Sequence, residues 1–138
     1  QRQMCIRDSS IATPHPGEAA RLLQCTTADI AKDRFAAVQA LQSAFGGVWL
    51  LKGAGSLITD GNSIGVSTTG NPGMASGGMG DVLAGICGSL LAQGLSLLEA
   101  CQLAVYVHGE AADLCAAQAG ERGMLASDLI AKLRQCLN

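Results

Sequence analysis

The sequence has 138 residues, of which 49% are hydrophobic, 14% charged and 3% aromatic, with a net charge of −2; this is the composition of a globular domain with one core, not of a disordered or fibrous chain. The weak acidic balance and the scarcity of aromatics exclude the basic patch and the stacking platform of a nucleic-acid binder. The longest apolar stretch, residues 82–95, is interrupted by Gly85, Gly88 and Gly94 and falls short of the roughly 20 residues that span a bilayer, so a soluble protein with no membrane partner is expected.

The first ten residues, QRQMCIRDSS, fit neither a strand nor an amphipathic helix and are read as a non-native, artefactual segment. They also lack the apolar run and cleavage site of an export signal. From Ile11 onward strand-like and helix-like segments alternate, the pattern of an α/β sheet. IATP is the end of a short strand stopped by Pro14. PGEAARLLQ begins a helix, with Pro16 in its first turn and Glu18 placed favourably for the helix dipole. Residues 26–45 read as one helix with Thr27 as N-cap and an apolar stripe of Ile30, Phe35, Val38, Leu41 and Phe45, ended by Gly46 and Gly47.

GVWLLK is a buried strand ending at Lys52, and GAG turns the chain into SLITDG and SIGVST, a hairpin at a sheet edge. Two helices follow the glycine-rich stretch, with Gly94 as the stop between them and Ser96 as the second cap; residues 126–137 form the last helix. Cys5, Cys25, Cys87, Cys101, Cys115 and Cys136 are widely spaced, with no C-x-x-C pair or histidine at ligand spacing. They are expected to be small buried hydrophobes in a reducing, cytoplasmic setting.

Three stretches carry candidate chemistry. In GNPGMASGGMGDVLAGI, residues 70–86, glycines lead into a helix start, where unpaired N–H groups and a partial positive charge suit an anion such as phosphate. Neither of the two familiar phosphate patterns, G-x-x-x-x-G-K-[ST] and G-x-G-x-x-G, is present. A carboxylate beside phosphate is repelled unless it accepts a proton from an attacking hydroxyl, so Asp81 is either that base or a helix cap. Lys52 stands at the carboxyl end of a buried strand, the side on which α/β sheets bind ligands, although a lysine in that place, taken alone, is more often a solvated strand end. His15, between two prolines in TPHPGE, is either a turn residue or a ligand contact. His108 lies on the apolar face of its helix and is read as a core histidine.

Taken together, TPHPGE (13–18), LKGAGSLITDG (51–61), GNPGMASGGMGDVLAGI (70–86) and VYVHGEAADL (105–114), with GERGMLASDL (120–129), resemble the ADP-dependent NAD(P)H-hydrate dehydratases of the ribokinase-like superfamily. The resemblance runs from Ile11 to the end. Members carry roughly as much chain again ahead of TPHPGE, so residues 11–138 are expected to be the C-terminal part of a ribokinase-like three-layer α/β sandwich, without its N-terminal strands.

The resemblance implies removal of water from hydrated NADH or NADPH at the expense of ADP or ATP. Asp81 would take the proton of the hydrate's hydroxyl; Lys52, Gly53, Ala54, Gly55, Ser56 and Gly80 would contact the nucleotide; His15 and Asp81 would face the hydrate. It also implies magnesium with the phosphates, for which these residues show no ligand set, and assembly into a homo-oligomer. A ribokinase-like small-molecule kinase and an inactive nucleotide-binding fragment are the alternatives.

Overall fold

Strand β1 (Ile11–Ala12) lies parallel to β2 (Val48–Leu51), pairing Ile11 with Val48 and Ala12 with Trp49, in a computed structural model that describes residues 9–138. Backbone bonds extend this pairing at both ends, from Val48 N to Ser10 O (2.9 Å) and from Lys52 N to Pro14 O (3.0 Å). Strands β3 (Leu57–Thr59) and β4 (Ile64–Val66) continue the sheet in antiparallel fashion, in the order β1-β2-β3-β4. The expected hairpin is therefore present, with β4 at the edge. Asp60 shapes its turn by accepting from Asn62 N at 2.9 Å.

Between β1 and β2 the chain makes three helices, α1 (Pro16–Leu22), α2 (Thr27–Lys32) and α3 (Arg34–Phe45). The single helix expected over residues 26–45 is thus two. Thr26, not Thr27, caps α2 in a capping box with Asp29. Asp33 leaves the helical region (φ −152°) and uses its carboxylate to accept Ala36 N at 2.9 Å, so the side chain competes with helix continuation and starts a new helix instead. The break resets the helical phase. Ile30, Val38 and Leu41 are buried as expected, whereas Phe35 is half exposed.

These helices and one face of the sheet share a core of Ala19, Ala20, Ile30, Val38, Leu41, Trp49, Leu51 and Leu57. Trp49 is its largest member. Its indole N–H donates to Gly46 O at 2.7 Å and its ring packs on Phe45 with centroids 5.6 Å apart, so the buried polar atom is satisfied.

At the junction of Val66 and Ser67 the chain divides into two compact units. The second holds a 3₁₀ turn (Pro72–Met74) and helices α4 (Met79–Ala92), α5 (Leu97–Ala119) and α6 (Ala126–Cys136). Ser96 caps α5 in a box with Glu99. Small residues along α5, among them Ala100, Ala104, Ala111 and Ala112, are wholly buried and let its neighbours approach closely. Met79, Ala111, Ala112, Cys115, Met124 and Leu129 form this unit's core.

His108 is buried, as its place on the apolar face of α5 predicts. Cys87, Cys101 and Cys115 are buried free thiols, but Cys25 and Cys136 are only partly covered. The Cys87 thiol and burial together push the Cys101 thiol far above its ordinary value. Cys5 lies outside the described residues, as do residues 1–8 of the segment read as non-native. Among the described residues no helix is long and apolar enough to cross a membrane.

Candidate functional site

The bond from Lys52 N to Pro14 O sets the carboxyl ends of β1 and β2 side by side, which brings the TPHPGE turn against the loop that starts at Lys52. His15 is the N-cap of α1. Its Nδ1 accepts Glu18 N at 3.1 Å, which leaves the ring proton on Nε2, 2.8 Å from Glu18 Oε1. Both side chains are about half exposed, 52% and 49%. Gly17 makes this possible, because a Cβ there would lie 2.9 Å from the His15 ring. The imidazole is thus held in one orientation with a face open to solvent.

Loop 52–56 is shaped by a residue that sequence reasoning missed. Arg34, the first residue of α3, donates from Nη1 to Ala54 O (2.9 Å) and Gly55 O (3.2 Å), and from Nη2 to Leu51 O (3.4 Å). No peptide in the described structure is cis, and in a trans peptide the carbonyl of one residue and the N–H of the next point in opposite directions. With those carbonyls turned onto the guanidinium, the N–H groups of Gly55 and Ser56 point away from it. The Lys52 N–H, opposite Leu51 O, obeys the same rule by reaching Pro14.

Ser56 Oγ closes the loop, accepting Gly53 N (3.3 Å) and donating to Gly53 O (3.1 Å). Gly55 has φ 67°, a conformation few side chains tolerate. A Cβ at Gly53 would meet Arg34 Nη2 at 2.8 Å. Lys52 is partly buried at the root of this loop. The result is a turn with Lys52 at its root and the N–H groups of Gly55 and Ser56 facing outward, a donor set of the kind that suits an anion.

The second unit carries Gly80 and Asp81 in the first turn of α4. The N-cap is Gly78, in the left-handed region (φ 85°) and with no side chain to offer. The first helical bond runs from Val82 N to Gly78 O, so the N–H groups of Met79, Gly80 and Asp81 have no partner within the helix. Asp81 is therefore not the cap. It is exposed, the third residue of α4, and its carboxylate accepts none of the described hydrogen bonds. Ahead of it, Ser76 Oγ is buried without a hydrogen-bond partner among the described residues.

In the loop of residues 52–56 outward N–H groups beside Lys52 suit an anion, and the start of α4 carries a carboxylate free of described hydrogen bonds beside amides unpaired within the helix. His15 and residues 52–56 share the first unit; Gly80 and Asp81 belong to the second. Among the described residues no group of three or more His, Cys, Asp or Glu could hold a metal ion. A depression of about 390 Å³ bounded by Cys115, Gln118, Arg122, Met124, Asp128 and Lys132 contains none of the predicted site residues.

A family model described as NAD(P)H-hydrate dehydratase matches residues 3–135. The chain is similar to the bifunctional NAD(P)H-hydrate repair enzyme of Vibrio cholerae, with 57% identity over 93% of this chain and 26% of that enzyme. It is similar in structure to the ADP/ATP-dependent NAD(P)H-hydrate dehydratase of Bacillus subtilis co-crystallized with ATP and Mg2+, with a TM-score of 0.88 and 30% identity over 92% of this chain and 46% of that one. A ribokinase-like superfamily protein of Enterococcus faecalis matches with a TM-score of 0.80 and 30% identity, over 94% of this chain and 44% of its own. The fold is mixed α/β and ribokinase-like. The chain spans about a quarter of the length of the bifunctional relatives it matches and 44% of the ADP-dependent (S)-NAD(P)H-hydrate dehydratase of Neisseria meningitidis.

Proposed function

The chain belongs to the NAD(P)H-hydrate dehydratase family, and from that premise we propose that it serves the nucleotide-dependent dehydration of hydrated NADH or NADPH. The observation that carries this reading is Asp81: a carboxylate free of hydrogen bonds, in the first turn of a helix whose opening amides are unpaired. Water is a poor leaving group. The nucleotide's terminal phosphoryl group would convert the hydrate's hydroxyl into a good one.

In this mechanism Asp81 accepts the proton of that hydroxyl. The amides at the start of α4, Gly80 among them, and the helix dipole bear on the negative charge that develops. Lys52 and the outward N–H groups of Gly55 and Ser56 bind the phosphates of the nucleotide, with Gly53 and Ala54 shaping the turn that Arg34 and the Gly53–Ser56 pair hold. His15, fixed by Glu18, orients the hydrate. Magnesium belongs to the same reading, but the described residues offer no ligand cluster for it, and no step above depends on it. Self-association and a cytoplasmic setting complete the proposal.

The test incubates the purified chain with NADH hydrate and ADP, in parallel with a hybrid in which the chain replaces the matched segment of the Bacillus subtilis enzyme. Recovery of NADH with release of one phosphate per turnover is expected. A phosphorylated product that accumulates would identify a kinase instead. Nucleotide binding without turnover in both preparations would leave a binding unit and overturn the reading.

A further inference from the structure

The glycine-rich stretch that ends at Asp81 is fastened at its other end to the middle of α5. Thr69 Oγ1 donates to Tyr106 O at 3.0 Å. Gly70 N donates to one oxygen of Asp113 at 3.0 Å, and Asn71 Nδ2 donates to the other at 2.9 Å. One half-buried carboxylate thus engages two consecutive residues of the strap with charge-assisted bonds. Gly109, one helical turn before Asp113, makes the seat: a Cβ there would lie 2.7 Å from the carbonyl carbon of Thr69, backbone that has no freedom to swing aside.

The fastening is passed along the chain. Asn71 Oδ1 accepts Gly73 N at 3.0 Å and so begins the 3₁₀ turn. A Cβ at Gly73 would lie 2.7 Å from Glu121 O, so the turn is wedged against the loop that follows α5. Five residues beyond that turn, Met79 anchors the start of α4 in the core that it shares with Ala111, Ala112 and Leu129. A segment this rich in glycine has no stiffness of its own and loses more entropy on ordering than any other composition. Its path is set from outside, by α5.

We propose that Asp113 is a positioning residue: by holding Gly70 and Asn71 it sets the path of residues 69–78 and, through them, the placement of the Gly80 amide and the Asp81 carboxylate. The inference rests on the reading of Asp81 as proton acceptor. It touches neither substrate nor nucleotide itself.

A swap of polarity tests it. Asp113→Asn always leaves one strap donor unmet, because the new amide must turn its own N–H toward either Gly70 N or Asn71 Nδ2. Asn71→Asp alone sets carboxylate against carboxylate. The double variant restores every bond: the amide at 113 accepts Gly70 N and donates to the carboxylate at 71, whose other oxygen keeps Gly73 N.

Amide exchange on the full chain is expected to quicken by about tenfold to a hundredfold at the bonded amides of the segment, Gly70, Gly73, Met74, Ala75 and Val82, in each single variant, to leave β2 and α6 unchanged, and to return to the parent rate in the double variant. Gly109→Ala, which keeps both polar partners but displaces Thr69, should give the same exchange signature. In the hydrate assay kcat should fall about tenfold to a hundredfold in the single variants, with KM for ADP little changed, and recover in the double variant.

Unchanged exchange at Val82, the first bonded amide of α4, in the single variants, or no recovery in the double, overturns the inference. Quickened exchange with unaltered kcat reduces Asp113 to a structural clasp and overturns it as well. Quickened and rescued exchange, with no hydrate turnover by the parent form either alone or in the hybrid, upholds the control of the Asp81 segment by Asp113, while refuting the proposed reaction.

Discussion

Replacing Arg34 by alanine removes the guanidinium that holds Leu51, Ala54 and Gly55 by their carbonyls. A hydrogen bond to a charged group contributes about 1.5–3 kcal/mol where water is excluded. Arg34 is only partly buried, its bond to Leu51 O is 3.4 Å long, and water can satisfy the freed carbonyls. The bond to Ala54 O therefore counts nearly in full and the other two in small part, for a total of about 2 kcal/mol.

Most of that loss should fall on loop 52–56, which β2 and β3 anchor only at its ends. A loop that must be ordered at the moment of binding lowers affinity by the cost of ordering it, so ADP affinity should drop about tenfold to thirtyfold. Calorimetric ADP titration beside amide exchange at Gly53, whose N–H is bonded to Ser56 Oγ, measures both effects. Arg34→Lys keeps the charge but not the fork, and one ammonium cannot serve three carbonyls, so it should recover less than half of the loss. Arg34→Ala with parent-like affinity and parent-like exchange would show that the Ser56–Gly53 pair is enough to hold the loop, and would refute the argument.

Asp81→Asn should lower hydrate turnover about a hundredfold to ten-thousandfold while ADP affinity holds or improves; because Asp81 is not the cap of α4, the melting temperature should change little, and parent-like turnover would remove it as the base. Gly77→Ala is informative in the opposite sense, since a Cβ there meets nothing within 4 Å: the chain should gain roughly 0.4–1 kcal/mol of stability yet bind ADP less well if the space is kept for phosphate, and equal affinity would argue against a cradle at that point. Acid should destabilise the first unit through Asp29 and Asp60, whose carboxyls are held below the ordinary range by the backbone N–H groups of Thr26 and Asn62. A lowered folded value means that the stabilisation is complete above the unfolded carboxylate pKa of about 3.9 and is lost as pH falls through the folded value; urea midpoints taken from neutral pH down into that range should flatten in an Asp29→Asn, Asp60→Asn double variant.

What could be read from the chain was what short spacing decides. Pro14 ends β1, Gly94 and Ser96 separate α4 from α5, and the four apolar residues of β2 announce a buried strand with Lys52 at its carboxyl end. Because ligands of α/β sheets lie at that end, His15 and Lys52 could be placed on one edge before any coordinates. The break at Asp33 was hidden for a physical reason: aspartate inside an amphipathic pattern is compatible with a continuous helix, and only its choice to cap Ala36 decides otherwise. Missing that break also hid Arg34, which becomes a helix-starting residue aimed at a loop 17 to 21 positions away. Asp113 was less visible still, since its partners are 42 and 43 residues distant.

The glycine cluster shows where composition stops being informative. In the sequence Gly70, Gly73, Gly77, Gly78 and Gly80 form one signal, a permissive loop before a helix. In the structure they answer different demands. Gly78 is required by its own backbone, at φ 85°; Gly73 by Glu121 O, 2.7 Å from where a Cβ would sit. Gly77 is required by nothing within the described fold. A fold that selected only for itself would have no reason to keep glycine at that position, where alanine would lower the entropy of the unfolded chain without a clash. Gly85 and Gly88 in α4 are equally unconstrained by packing, so what distinguishes Gly77 is its place, four residues before Asp81, and the Gly77→Ala titration asks whether the open space there is kept for a ligand.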